Sequence, residues 1–136
     1  MEPKIRAREL RNRKDRHYNC CQATFLPFAE EKGMDHETAF RLAEHFGGGM
    51  RRKAACGAVT GGLMALGLLG KEGEDIALAF QERFCQKAGA LNCGELVAAA
   101  AARGEEKKTS CDRLVELAAE LVEEFEKEGK PSCEKE

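Results

Sequence analysis

Along this 136-residue chain the apolar residues recur at three- and four-residue intervals. No window alternates with the period of two that a half-buried strand needs, so the chain has only helices to build a core from. The runs read as helices near Pro3–Arg16, from Asn19 to the Lys32-Gly33 break, and after Asp35. Others follow at about Cys56–Leu69, Glu74–Ala88, Asn92–Arg103 and Thr109–Glu128. Their core faces are expected to carry Cys21, Thr24, Phe25, Phe28 and Ala29, then Ala39, Leu42, Ala43 and Phe46. Ile76, Ala77, Phe80 and Phe84 follow, then Leu96, Val97, Ala100 and Ala101. The last helix offers Leu114, Leu117, Ala118, Leu121, Val122 and Phe125. Pro27 falls inside the second helix and is expected to kink it. The fold class that results is all-α, a single-domain bundle of about five to seven helices over residues 1–128. Residues 129–136 read as a flexible C-terminal tail.

The apolar stretch Ala54–Gly70 is short for a membrane span and rich in glycine. It reads as a buried central helix whose Gly57, Ala58, Gly61 and Ala65 let a neighbouring helix approach closely. Packing inside the bundle is the expectation; the same stripe leaves a homodimer open. Gly104–Lys108 reads as a charged loop, and Gly47-Gly48-Gly49 as a break before the segment MRRKA.

Net charge is −2, which points to neither nucleic acid nor a membrane. Residues 1–16 nevertheless carry 7 basic and 3 acidic side chains, and residues 112–136 carry 9 acidic and 4 basic ones. These read as two solvated surfaces of opposite sign, the first a basic N-terminal helix or arm. No aromatic residue interleaves with the basic ones from Lys4 to Arg16, so no base-stacking platform is expected. The N-terminal segment lacks the apolar core of a signal peptide, and a cytoplasmic location is expected. Thiols there stay mostly reduced, so seven cysteines suggest metal, catalysis or redox sensing more than structural bridges.

The cysteines fall in a pattern. Asn19-Cys20-Cys21-Gln22 and Asn92-Cys93-Gly94-Glu95 share the form of a helix cap with Gln or Glu three residues on, and Leu91 could staple to Leu96. Thr109-Ser110-Cys111-Asp112 is a weaker version, and Cys56 opens the glycine-rich helix after Arg51, Arg52 and Lys53. Thus Cys20, Cys56, Cys93 and Cys111 are placed at helix starts. Unpaired N–H groups and the helix dipole there favour an anion such as a thiolate. A plain packing role competes for each of them, since cysteine is a small buried hydrophobe. Cys21 shares a stripe with Phe25 and Phe28 and reads as packing, Cys85 as structural, and Cys133 as a tail thiol. His17, His36 and His45 are isolated and suit surface or capping roles. GGGMRRK lacks the spacing of a phosphate loop.

These blocks together resemble the C-GCAxxG-C-C family of redox-active proteins, over roughly Asn19 to Phe125. The resemblance rests on Tyr18-Asn19-Cys20, on Phe46-Gly47-Gly48-Gly49-Met50 and on Cys56-Gly57-Ala58-Val59-Thr60-Gly61. It places the family cysteines on Cys20, Cys56, Cys93 and Cys111, the four that the capping argument selects. Ala55 replaces the leading glycine of the family string, Gly57-Ala58 follows Cys56 where the string has alanine, and Cys21 stands where a small residue is expected. The resemblance implies a small helical redox protein and names no substrate.

Three functions compete. In a thiol–disulfide protein, Cys20 or Cys56 would attack, Cys93 or Cys111 would resolve, and a redox partner protein is implied. Alternatively the same four thiols would hold zinc or an iron–sulfur cluster, against which their wide spacing counts. In the third reading the chain is an interaction bundle with cysteines in its core.

Overall fold

The computed structural model describes residues 2–128, and among them there are seven α-helices and no strand. They are α1 (Pro3–Arg11), α2 (Cys20–Glu31), α3 (His36–Ala43), α4 (Gly57–Leu68), α5 (Glu74–Ala88), α6 (Cys93–Ala102) and α7 (Lys107–Lys127). Residues 129–136, with the expected flexible tail and Cys133, lie outside the described residues. No described helix is long and apolar enough to cross a membrane.

The centre is a seam between α2 and α4. Every residue of α2 from Cys21 to Ala29 is buried, and the helix runs through Pro27. On α4, Gly57 and Gly61 lie one above the other, as residues four apart do. A Cβ on Gly57 would sit 3.0 Å from the Cys20 Cβ, and one on Gly61 would sit 2.8 Å from the Cys21 carbonyl oxygen. Only glycine lets the two backbones lie this close. The small-residue stripe therefore does its packing inside the chain, and α2 shares the central place expected for α4 alone. Helices α5 and α7 close the far side, where Phe80 meets Phe125 edge-to-face at 5.8 Å.

The two charged ends face each other, which corrects their reading as separate solvated surfaces. Helix α1 lies along α7, burying Ala7 and Leu10. Between the two helices Lys4 pairs with Glu120, Arg8 with Glu116 and Arg11 with Asp112, at 3.0, 2.8 and 2.6 Å. The basic numbers rise as the acidic ones fall, as an antiparallel pair of helices requires. Two further corrections concern local faces. On α3 the buried residues are Ala39 and Ala43, while Leu42 and Phe46 are 52% and 36% exposed. Phe40 is drawn in instead, between the Tyr18 ring and the Arg16 guanidinium. On α6 only Leu96 and Ala100 are buried; Ala101 faces out and Val97 is half-buried.

Candidate functional site

The site is assembled at the start of α2. Asn19 caps that helix by the expected box: its side-chain oxygen accepts from the Gln22 N–H at 2.9 Å, and its own N–H donates to Gln22 Oε1 at 2.8 Å. The Asn19 amide also donates to the Glu44 carbonyl at 2.9 Å, tying the cap to the chain that leaves α3. Cys20 is thereby the first residue of a rigid helix.

Cys56 and Cys93 are placed by another device. Ala55 and Asn92 form an isolated antiparallel bridge. The Cys56 N–H donates to the Leu91 carbonyl at 2.8 Å, and the Cys93 N–H donates to the Ala54 carbonyl at 2.7 Å. The two cysteines follow directly from the two sides of the bridge, as N-cap of α4 and first residue of α6. The chain reaches this bridge through a left-handed turn. Gly48, Gly49, Met50 and Arg51 have φ of 63°, 66°, 59° and 64°, and Lys53 has 62°. A left-handed residue other than glycine costs about 1–2 kcal/mol. The turn is closed by Ala54 N–H donating to the Gly49 carbonyl at 2.8 Å. A Cβ on Gly49 would lie 2.8 Å from the Cys93 Cβ, so the turn packs directly on that cysteine.

Cys111 comes from α7. That helix begins at Lys107, two residues before the expected start, with Glu106 as its extended cap. Its first turn takes residues expected in a loop, and Cys111 falls one turn inside. Asn92 also differs from expectation. Its backbone is extended before α6, but its side chain makes no cap bond to the helix and instead donates to Glu95 Oε1 at 3.1 Å. The helix-start reading thus holds in position for Cys20, Cys56 and Cys93.

All four cysteines line one cavity of about 370 Å³. Leu96, Val97 and Leu114 supply its apolar wall, and Arg11, His17, Lys107 and Lys108 stand around it. Cys20 and Cys111, 91 positions apart in the chain, line this cavity together and interact thiol to thiol. That interaction lowers the Cys111 pKa from the ordinary thiol value to about 6, with the charges of Arg11 and Lys107 acting in the same direction against partial burial. The same interaction, and burial, push Cys20 well above the ordinary value. The balance favours the thiolate on Cys111.

Burial reverses the expected helix-start effect at the other two. The Ala58 and Val59 N–H groups at the start of α4 favour the Cys56 thiolate, but burial outweighs them and the pKa rises to about 11. Burial also raises Cys93, opposed by Lys107 and Lys53. The sequence favoured Cys20 or Cys56 as the attacking thiol; the electrostatics favour Cys111. Cys21 points away, its thiol donating to Met64 Sδ at 3.6 Å, and burial raises it to about 12. Its packing role and the half-buried position of Cys85 on α5 keep both out of the cavity. Among the described residues no three or more His, Cys, Asp or Glu are grouped as metal ligands.

Sequence reasoning missed Arg11 and His17. Arg11 is 8% exposed at its side chain and is held by Asp112 and by the Tyr18 carbonyl at 3.0 Å. Its only sequence signal was membership of a basic run. His17 is exposed, as a surface role requires, yet stands at the cavity. Partial burial, then the charges of Arg11, Arg51 and Lys108, lower its pKa and favour the neutral ring. His36 is spoken for by Tyr18 and Glu30 at 2.9 and 2.8 Å.

A helical bundle that gathers four thiols from four helices around one cavity, with one of them acidified, defines a class of thiol protein. Residues 18–125 match the family model described as "Putative redox-active protein (C_GCAxxG_C_C)", and the chain belongs to that family. No curated protein and no solved structure matches the chain.

Proposed function

We propose that the protein performs thiol–disulfide exchange, with Cys111 as the attacking thiol and Cys20 as the resolving one. The observation that carries this reading is the Cys20–Cys111 pair in one cavity, with the thiolate favoured on Cys111. A thiol with a pKa near 6 is mostly thiolate at neutral pH, and the thiolate is the nucleophile. The Cys111 sulfur attacks one sulfur of a disulfide, forms a mixed disulfide and releases the other half as a thiolate. Cys20 then gives up its proton and attacks Cys111 Sγ, releasing the second half. The protein ends with a Cys20–Cys111 disulfide, and the substrate disulfide has gained two electrons. Neutral His17 stands at the same cavity as a candidate acceptor for the Cys20 proton.

Cys20 suits the second step, because the mixed disulfide formed on Cys111 presents its sulfur in the cavity that Cys20 also lines. The metal reading would need three or four thiols to meet at a point, an arrangement not found among the described residues. The test is a peptide map of reduced protein after treatment with excess hydroxyethyl disulfide. The expected product is lighter by two hydrogens, with Cys20 joined to Cys111, and dithiol restores it. A disulfide confined to other cysteines, or none at all, overturns the assignment.

A further inference from the structure

Resting on that exchange reading, we infer that the substrate is a small disulfide bearing carboxylates, bound across the cavity and the groove that continues it by Lys107 and Lys53. The cavity's size suits a small molecule; pockets for such ligands run from about 300 to 1,000 Å³. It continues into a groove of about 650 Å³ that shares His17, Asn19, Gly48, Cys93, Val97 and Lys107 with it. A disulfide seated at Cys111 therefore has room for both of its halves.

The charge of these walls is the second observation. No Asp or Glu lines the cavity, and Glu44 alone lines the groove, in a chain of net charge −2. The positive groups differ in availability. Arg11 and Lys108 both pair with Asp112, at 2.6 and 2.8 Å, and Arg51 approaches Glu44 at 3.8 Å. Lys53 and Lys107 are exposed and have no ion-pair partner among the described residues. Both line the groove with Cys93, and each acts electrostatically on its thiol. The left-handed turn that ends at Lys53 fixes one of them; the first residue of α7 carries the other. Two unpaired ammonium groups in the walls of a thiol-lined apolar slot and its groove match a ligand that carries carboxylates as well as a disulfide.

The same arrangement disfavours a folded protein as substrate. Cys56 is buried and Cys20 and Cys111 are half-buried, and a protein disulfide would have to enter a slot walled by Leu96, Val97 and Leu114. The chemical balance is that of the exchange already described: the dithiol loses two electrons and two protons, and the small disulfide leaves as two thiols.

The experiment uses three disulfides of similar reactivity and different charge: oxidised glutathione (anionic), hydroxyethyl disulfide (neutral) and cystamine (cationic). Oxidation of the reduced full chain is followed by stopped flow, and each rate is divided by that of a free small thiol with the same disulfide. At about 6 Å in water each lysine is worth about a threefold rate change. The anionic probe is expected to lead the neutral one by about tenfold, and the cationic one to trail. In the Lys53→Gln/Lys107→Gln double variant the anionic preference should fall by about tenfold. The neutral rate in that variant separately reports any change in the Cys111 thiolate. Equal normalised rates for all three probes, or a preference that survives the double variant, overturn the carboxylate inference and leave the exchange reading standing. Reduction of a protein disulfide such as that of insulin, faster than of any small probe, overturns it too. No exchange with any disulfide takes down the exchange reading itself, and this inference with it.

Discussion

One substitution, made at two places in the same helix, should change stability in opposite directions. Gly61 and Gly67 both lie in α4. Replacing a helical glycine by alanine gains up to about 1 kcal/mol of helix propensity. At Gly67 the new Cβ would meet nothing within 4 Å, so the whole gain should appear. At Gly61 the same Cβ would lie 2.8 Å from the Cys21 carbonyl oxygen and 3.0 Å from the Thr24 Cβ. The first of these is backbone inside a buried helix and cannot rotate away. Relief requires α4 to move off α2 by about half an ångström along their buried seam. Overpacking of this kind costs about 1–3 kcal/mol, and a backbone obstacle puts it near the upper end. The net for Gly61→Ala is a loss of about 2 kcal/mol. The two variants should then differ by about 3 kcal/mol, or roughly 10 °C in Tm for a chain of this size. Urea and thermal unfolding of the reduced protein read this directly. Equal stability of the two variants would refute the claim that backbone contact between α2 and α4 holds the centre together. The seam also sets the site, since Gly57 on the same face touches Cys20. The Gly61 variant should therefore raise the Cys111 pKa as well.

Four further outcomes follow from particular groups. Iodoacetamide should label Cys111 first, with a rate that rises through a midpoint near pH 6 and levels above it, because only the thiolate reacts. Cys20→Ala removes the largest cause of that acidity, so its midpoint should move up by at least about one unit; an unmoved midpoint would leave Arg11 and Lys107 as the whole cause. Arg11→Gln breaks the contacts to Asp112 and to the Tyr18 carbonyl, should cost about 1–3 kcal/mol in urea unfolding, and should shift the labelling midpoint upward too. Met50→Gly relieves a left-handed residue whose side chain is 46% exposed, and should stabilise the protein by about 1 kcal/mol; a loss instead would mean that the Met50 side chain holds the turn.

The sequence carries the helices because their periodicity is local, and it carries the Asn19 cap because a capping box is decided within four residues. It does not carry the faces that depend on neighbours. Leu42 fits the apolar stripe of α3, yet Phe40 is the residue that meets Tyr18 and Arg16, and only the packed structure supplies those partners. The four cysteines were legible one at a time, from their places near helix starts. Their order of acidity was not, since it is set by two terms that no local pattern contains. Burial is the first: at Cys56 the favourable N–H groups are present as expected and still lose to it. The second is contact between residues far apart in the chain. Cys111 lies in the second turn of α7, where the dipole argument is weakest, and is nevertheless the acidified thiol. Its partner thiol comes from the first residue of α2 and its cation from the last residue of α1. What brings that cation there is the ladder of ion pairs between α1 and α7, written in the sequence only as a basic beginning and an acidic end. The charge asymmetry that looked like mere solvation thus places Arg11 at the cavity with Cys111, and the pKa of a thiol unremarkable by its position is lowered.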